Sequence, residues 1–100
     1  MNRNRKFDEY LYESLRDPDE ASAYLEVALE EYEKDGDLEA FLLALKDVAN
    51  ARGGLLRLSK KTHLSRQSLY KALSVRGNPR LNTLSIILKG LGFRFSIHPI

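Results

Sequence analysis

The sequence of 100 residues contains no cysteine and only two histidines. The absence of cysteine excludes disulfides and thiolate metal ligands, and neither His63 nor His98 has the neighbouring carboxylates that a zinc site would need. The longest apolar runs, such as residues 41–45, are far too short to span a bilayer. The first six residues carry basic side chains, but no apolar stretch follows them, so no secretory signal is recognised. We therefore expect a cytoplasmic protein with no membrane association, no metal and no cofactor.

The sequence also offers little that could support catalysis. A chain of this length buries one modest core, which argues against a multidomain enzyme with a deep active-site cleft. Ser59, Ser65 and Ser68 lie near His63, but the motif holds no acid that could orient an imidazole base. Helix capping and close packing explain these serines. We expect that the protein is not an enzyme.

Acidic residues are absent from the second half of the chain. All 14 acidic residues lie between Asp8 and Asp47, whereas residues 53–100 contain nine basic residues and no acidic one. We call residues 1–52 the acidic region and residues 53–100 the basic region, and we expect them to be two functional units. Solvated surfaces usually mix both signs of charge, so a simple solvated basic face explains the pattern less well than a polyanion-binding surface.

Hydrophobic periodicity predicts a mostly helical chain. The predicted helical segments cover residues 17–36, 37–52, 55–62, 65–73 and about 82–89, while residues 1–16 give no clear start signal. Asp17 and Asp37 can cap the first two helices, Pro18 suits a first helical position, and Gly36 can end the first helix. In residues 93–97 apolar and polar residues alternate, which predicts a short strand. The predicted fold class is all-α, with an acidic helical hairpin and one short C-terminal β-strand.

The two short segments at residues 55–62 and 65–73 have the form of a helix-turn-helix. A tight turn separates them, and Ser65 can cap the second helix, whose exposed side chains could then reach base edges in a major groove. Glutamine can pair with adenine and arginine with guanine, so base reading is expected from Arg66, Gln67, Ser68, Tyr70 and Lys71. Phosphate contacts, where charge matters more than geometry, are expected from Lys60, Lys61, Ser65, Arg76, Arg80 and Lys89.

The stretch LSKKTHLSRQSLYKAL, followed by GNPRLNTLSIILKGLGF, resembles Xre/Cro-type helix-turn-helix domains. With the upstream DPDEASAYLEVALEE and FLLALKDVANARGG, nearly the whole chain resembles addiction-module antidote proteins of the HigA-like antitoxin family. The resemblance implies a lambda-repressor-like fold, a small toxin partner of the RelE/ParE superfamily, and repression of the protein's own operon as a dimer. His63 stands where such turns usually have glycine, but histidine tolerates the left-handed conformation.

The acidic region allows two interpretations. Its carboxylates could form only a solvated face, or they could bind a basic toxin by competing for the cations with which it holds RNA. In the second case the contacts are expected from Phe7, Tyr10, Leu11, Glu26, Glu30 and Glu33. The predicted strand, with Phe93, Phe95 and Ile97 on one face, is a candidate dimer contact because a lone strand exposes unpaired backbone groups.

Two further functions remain open from the sequence. The chain could be a stand-alone Xre-type repressor whose acidic helices serve only as scaffold. It could also be a protein that sequesters a partner and reads no operator. An antitoxin that also represses its own operon is the function that the sequence favours.

Overall fold

The computed structural model describes residues 5–100, with side chains from residue 7 onward. This part of the chain is all-α, as predicted. Its helices are α1 (Arg5–Leu15), α2 (Pro18–Asp35), α3 (Leu38–Ala51), α4 (Gly54–Thr62), α5 (Arg66–Ala72) and α6 (Leu81–Leu91). Helix α1 occupies the segment for which the sequence contains no start signal. Within residues 5–100, no helix combines the length and hydropathy needed to cross a bilayer.

Local side-chain signals set the ends of α2 and α3. The Asp17 carboxylate accepts a hydrogen bond of 3.2 Å from the N–H of Asp19, and Pro18 takes the first helical position. Helix α2 ends at Gly36. The Asp37 carboxylate then accepts a hydrogen bond from the N–H of Ala40. These caps confirm the predicted starts of α2 and α3 and the predicted end of α2, because capping depends only on residues close in the chain.

Helix α3 is the central element of one continuous core. Its Leu42, Leu45 and Val48 are fully buried, and both α1 and α2 pack against it. The same cluster of buried residues includes Leu15, Ala21 and Leu25 from the acidic region and Leu58, Leu69, Ile87 and Leu91 from the basic region. The two regions of opposite charge therefore share a hydrophobic core.

A buried polar contact joins α2 to α3. Asp47 is only 1% exposed, and the Tyr24 hydroxyl donates a hydrogen bond of 2.7 Å to its carboxylate. A carboxylate is costly to bury unless hydrogen bonds compensate its lost hydration. The contact therefore fixes how α2 packs on α3 more specifically than apolar side chains alone would.

The connection from α4 to α5 is a tight turn. His63 adopts a left-handed conformation with φ 62°, and its N–H donates a hydrogen bond of 2.9 Å to the carbonyl of Ser59. The Ser59 hydroxyl donates to the carbonyl of Leu64, on the far side of the turn. The Ser65 hydroxyl accepts a hydrogen bond of 3.0 Å from the N–H of Ser68 and so caps α5. The left-handed His63 and the Ser65 cap were both predicted.

Helix α6 packs closely against α4 at a glycine. A Cβ at Gly90 would lie 2.6 Å from Cγ2 of Thr62 and 2.8 Å from Cδ1 of Leu58. The hydrogen atom of glycine is therefore what allows the two helices to approach this closely. This packing brings the last turn of α6 beside the C-terminal half of α4.

The predicted strand at residues 93–97 is wrong. Residues 93–100 have no regular secondary structure, although the Phe93 N–H donates to the carbonyl of Leu88 at 2.8 Å. A strand needs a neighbouring strand for its hydrogen bonds, and residues 5–92 contain only helices, turns and loops. The alternating pattern has another cause: Phe93 and Phe95 pack against the helical core, whereas Ile97 is 97% exposed.

Candidate nucleic-acid and partner interfaces

Helix α5 has one side in the core and one side exposed. Leu69 is fully buried, and Leu73, which ends the helix, is also buried. The structure leaves the residues predicted to read bases exposed, namely Arg66, Gln67, Ser68, Tyr70 and Lys71. Of these, Ser68 already takes part in the cap, since its hydroxyl accepts a hydrogen bond of 2.9 Å from the Ser65 hydroxyl. The side chains best placed to bind a ligand are therefore those of Arg66, Gln67, Tyr70 and Lys71.

The residues predicted to contact phosphates lie on both sides of α5 in the chain. Lys60 and Lys61 are in the last turn of α4, and Arg76 and Arg80 lie between α5 and α6. All four are exposed, as is Ser65. The first turn of α6 has no side-chain cap at Arg80, so its N–H groups are open to an anion. The segment from α4 to the start of α6 thus presents a cationic surface around the exposed side of α5.

The residues predicted to contact a toxin fall into two sets. On α1, Tyr10 is 68% exposed and Phe7 is half exposed, whereas Leu11 is partly buried against the core. Leu11 is therefore less available to a partner than its two neighbours. Glu26, Glu30 and Glu33 are exposed on α2.

The second set lies in a groove that the C-terminal segment helps to form. Glu26, Glu30 and Glu33 line this groove together with residues 93–100, and Phe7, Tyr10 and Leu11 do not line it. We call it the acidic groove. The three residues predicted to mediate dimerisation, Phe93, Phe95 and Ile97, line the same groove. Because Phe93 and Phe95 already pack on the core, Ile97 is the member of that set most available to a second chain.

The chain matches, over residues 4–99, the profile of a family described as probable addiction module antidote proteins. It belongs to this antidote family. An antidote counteracts a toxin, so membership in this family implies a toxin partner and a regulatory role. A protein from Haemophilus influenzae, described as uncharacterised, is 35% identical over 85 residues, which span 85% of this chain and 82% of the relative. No solved structure matches the chain, so the lambda-repressor-like assignment stays a prediction.

Two features of this antidote protein were missed from the sequence. The first is the buried Asp47. Its spacing from Ala44 and Ala51 on α3 puts it on the buried face of the helix, and this periodicity could have revealed it.

The second feature is a cleft that collects basic residues from both regions. Arg16 and Arg52, from the acidic region, line it together with Arg57, Lys61 and Lys89. We call it the basic cleft. The spacing of Arg57 and Lys61 by four residues, on one face of α4, was the local signal. The contribution of Arg16 depends on how α1 and α2 pack on α3, which no short-range pattern shows.

Proposed function

We propose that this protein is the antitoxin of a type II toxin–antitoxin module. It neutralises a RelE/ParE-type toxin by direct binding, and it represses its own operon in the cytoplasm by sequence-specific binding to operator DNA. The basic region holds nine basic residues and no acidic one, and four of them, Lys60, Lys61, Arg76 and Arg80, lie just before and just after α5 in the chain. This one-sided charge is the observation that carries the DNA-binding part of the proposal, because it is typical of a surface that binds a polyanion.

The proposed reading helix is α5, in a helix-turn-helix formed with α4. Ser65 caps the start of α5, and the side chains of Arg66 and Gln67 in its first turn are exposed. Arg66 can donate two hydrogen bonds to guanine and Gln67 can pair with adenine, while Tyr70 and Lys71 contact neighbouring positions. Lys60, Lys61, Arg76 and Arg80 hold the flanking phosphates and so fix the position of the helix on the duplex.

Operator binding by a single module of this size would bury little DNA surface, so we propose a homodimer. Two copies of α5 about 34 Å apart would read the two halves of a palindrome in successive major grooves. The C-terminal segment supplies the contact, since Ile97 is exposed and residues 5–100 provide no strand with which the segment could pair. A symmetry mate could pair with that backbone and cover Ile97 at once.

Toxin binding is assigned to the acidic region. Glu26, Glu30 and Glu33 place three carboxylates along the acidic groove. A nuclease that binds RNA must carry arginines and lysines at its own RNA-binding site. Carboxylates placed over those cations would exclude RNA by occupying the same charges. Phe7 and Tyr10 add exposed aromatic surface on α1 that a partner could cover.

Replacing the base-reading side chains tests DNA recognition. With Arg66→Ala and Gln67→Ala combined, electrophoretic retardation of the protein's own upstream DNA should lose its preference over a scrambled duplex. The matched control is Arg76→Ala, which should weaken binding to both duplexes alike because a phosphate contact carries no sequence information. If the Arg66 and Gln67 variant kept its full preference for the upstream DNA, α5 would not be the reading helix.

Neutralisation of the toxin encoded beside this gene distinguishes an antitoxin from a stand-alone repressor and from a partner-sequestering protein. Glu26→Gln, Glu30→Gln and Glu33→Gln together should abolish rescue of growth when the toxin is expressed. The control, Glu13→Gln with Glu31→Gln and Glu39→Gln, removes the same charge from exposed positions outside the groove. Point substitutions are needed because α1 and α2 contribute to the core, so deleting them would unfold the chain. Operator binding without any rescue of growth by the parent protein would favour a stand-alone repressor, whereas rescue without any operator binding would favour a partner-sequestering protein.

A further inference from the structure

Of the residues to which the proposed function assigns a role, only Lys61 lines the basic cleft. It has a volume of about 790 Å³, which is within the range of small-molecule sites. Its walls come from the end of α3, one side of α4 and residues 86–92, and Arg16 reaches it from the turn after α1. In the described chain, none of residues 63–85 lines it, so it is separate from the exposed side of α5.

The charge of the cleft is of one sign. Arg16, Arg52, Arg57, Lys61 and Lys89 line it, and no described acidic residue does. Five cations around one concavity repel one another, and a low-dielectric wall focuses their field into the space between them. This arrangement lowers stability unless an anion offsets it. The chain has 14 carboxylates elsewhere, yet its fold places none of them here.

One arginine of the cleft is held in position before any ligand arrives. The Arg52 guanidinium donates a hydrogen bond of 2.9 Å to the carbonyl of Arg16 and lies 5.6 Å from the ring centre of Phe93. Arg57 lies across Gly53, where a Cβ would be 2.4 Å from its Cδ. The Arg52 guanidinium, fixed by these contacts, loses little rotamer freedom on binding, and the planar fork of either arginine matches the oxygens of a phosphoryl group.

The backbone at Gly53 adds to the same site. Gly53 lines the cleft, has φ 111° and precedes α4 without providing any side-chain cap. The first N–H groups of α4 therefore have no side-chain acceptor, and such N–H groups favour an anion. A residue with a side chain at this position would be strained by that φ and would displace Arg57.

We propose that the basic cleft is a second anion site that binds phosphoryl groups. The phosphoryl groups belong either to a free oligophosphate ligand or to the backbone of a duplex that extends past the part contacted by α5. The site rests on the residues of the cleft alone, so it stands whether or not α5 reads an operator. Arg52 and Arg57 provide the forked contacts, and Lys61 and Lys89 provide charge from facing helices.

Titration of the full-length, ¹⁵N-labelled protein with sodium tripolyphosphate tests the site without DNA or toxin. Saturable amide shifts are expected at Gly53, Gly54, Gly90 and Gly92, which lie in or next to the cleft. Arg57→Gln with Lys89→Gln should weaken this binding by at least about tenfold, since two charge-assisted contacts are lost. The matched control, Lys34→Gln with Arg94→Gln, removes the same charge outside the cleft and should change binding less than about twofold.

A second measurement distinguishes the source of the phosphoryl groups. If a duplex supplies them, tripolyphosphate will shift the same amides only weakly. The Arg57 and Lys89 variant will then reduce the log–log salt slope of dimer binding to a 30-base-pair duplex by about 3.6, because two contacts are lost in each protomer, and the control will not. Two outcomes overturn the proposal: both variants weaken tripolyphosphate binding equally, or neither measurement distinguishes the cleft variant from the control. Either would mean that only overall charge attracts anions.

Discussion

His63 is the one non-glycine residue with a positive φ in the described chain, and the angle between α4 and α5 depends on it. A left-handed backbone costs an ordinary residue about 1–2 kcal/mol. Asparagine tolerates this conformation and β-branched residues do not. Position 63 therefore accepts only residues that tolerate a left-handed backbone. Packing in the core does not set this limit.

Substitution at His63 should follow backbone preference rather than size or polarity. We expect His63→Asn to leave the free energy of unfolding within about 0.5 kcal/mol of the parent and His63→Val to lower it by about 1–2 kcal/mol. Urea unfolding followed by circular dichroism measures both. Equal stability of the two variants would show that the turn does not require the left-handed conformation.

Tyr24 supports a second prediction at the residue scale. Tyr24→Phe removes the hydroxyl that donates to the buried Asp47 carboxylate, and loss of one donor to a buried acceptor costs about 1–3 kcal/mol. Tyr32→Phe, on the same helix but at an exposed side chain, is the matched control and should change stability by less than about 0.5 kcal/mol. Thermal unfolding of both variants gives the comparison. A Tyr24 variant as stable as the control would mean that the hydrogen bond contributes nothing net.

The helices show which features the sequence could predict. Asp17, Gly36, Asp37 and Ser65 act on backbone groups within a few residues of themselves, so both ends of α2 and the starts of α3 and α5 could be predicted from the sequence alone. The predicted strand at 93–97 could not be checked against nearby residues alone. Strand pairing depends on a partner that can lie far away in sequence or in another chain. Its alternating pattern came from packing on helices instead.

The C-terminal segment also carries the prediction about assembly. Ile97 is 97% exposed, and in a symmetric dimer each substitution acts twice, so Ile97→Asp should weaken dimerisation by about 3 kcal/mol or more, roughly 100-fold. Sedimentation equilibrium measures the dissociation constant. Val75→Asp is the control, because Val75 is also an exposed apolar residue (68%) and lies outside the C-terminal segment. If the Ile97→Asp variant dimerised as tightly as the parent protein, the contact would lie elsewhere.

In the molecule as a whole, charge separates into two regions, whereas the hydrophobic core is continuous. The sequence showed the division of charge near residue 52, but the buried residues of both sides form one cluster around α3. That continuity depends on contacts between distant helices, which periodicity cannot show. A toxin bound to the acidic groove and DNA bound to α5 would therefore contact a single packed unit.

The basic cleft also depends on how the whole chain folds. Arg16 and Arg52 belong to the acidic region in sequence, yet the fold places them beside Arg57, Lys61 and Lys89. Counting charges by region could not find this site. It forms only because helix packing brings the turn after α1 next to the start of α4.

The central claim is that the basic region of an antidote protein binds duplex DNA through its cations. The most direct test is the affinity for upstream DNA measured over a range of salt concentrations. If each protomer neutralises about three phosphates, a dimer should give a log–log slope of about −5. A slope close to zero would contradict the claim, because binding that ignores salt cannot depend on contacts between these cations and DNA phosphates.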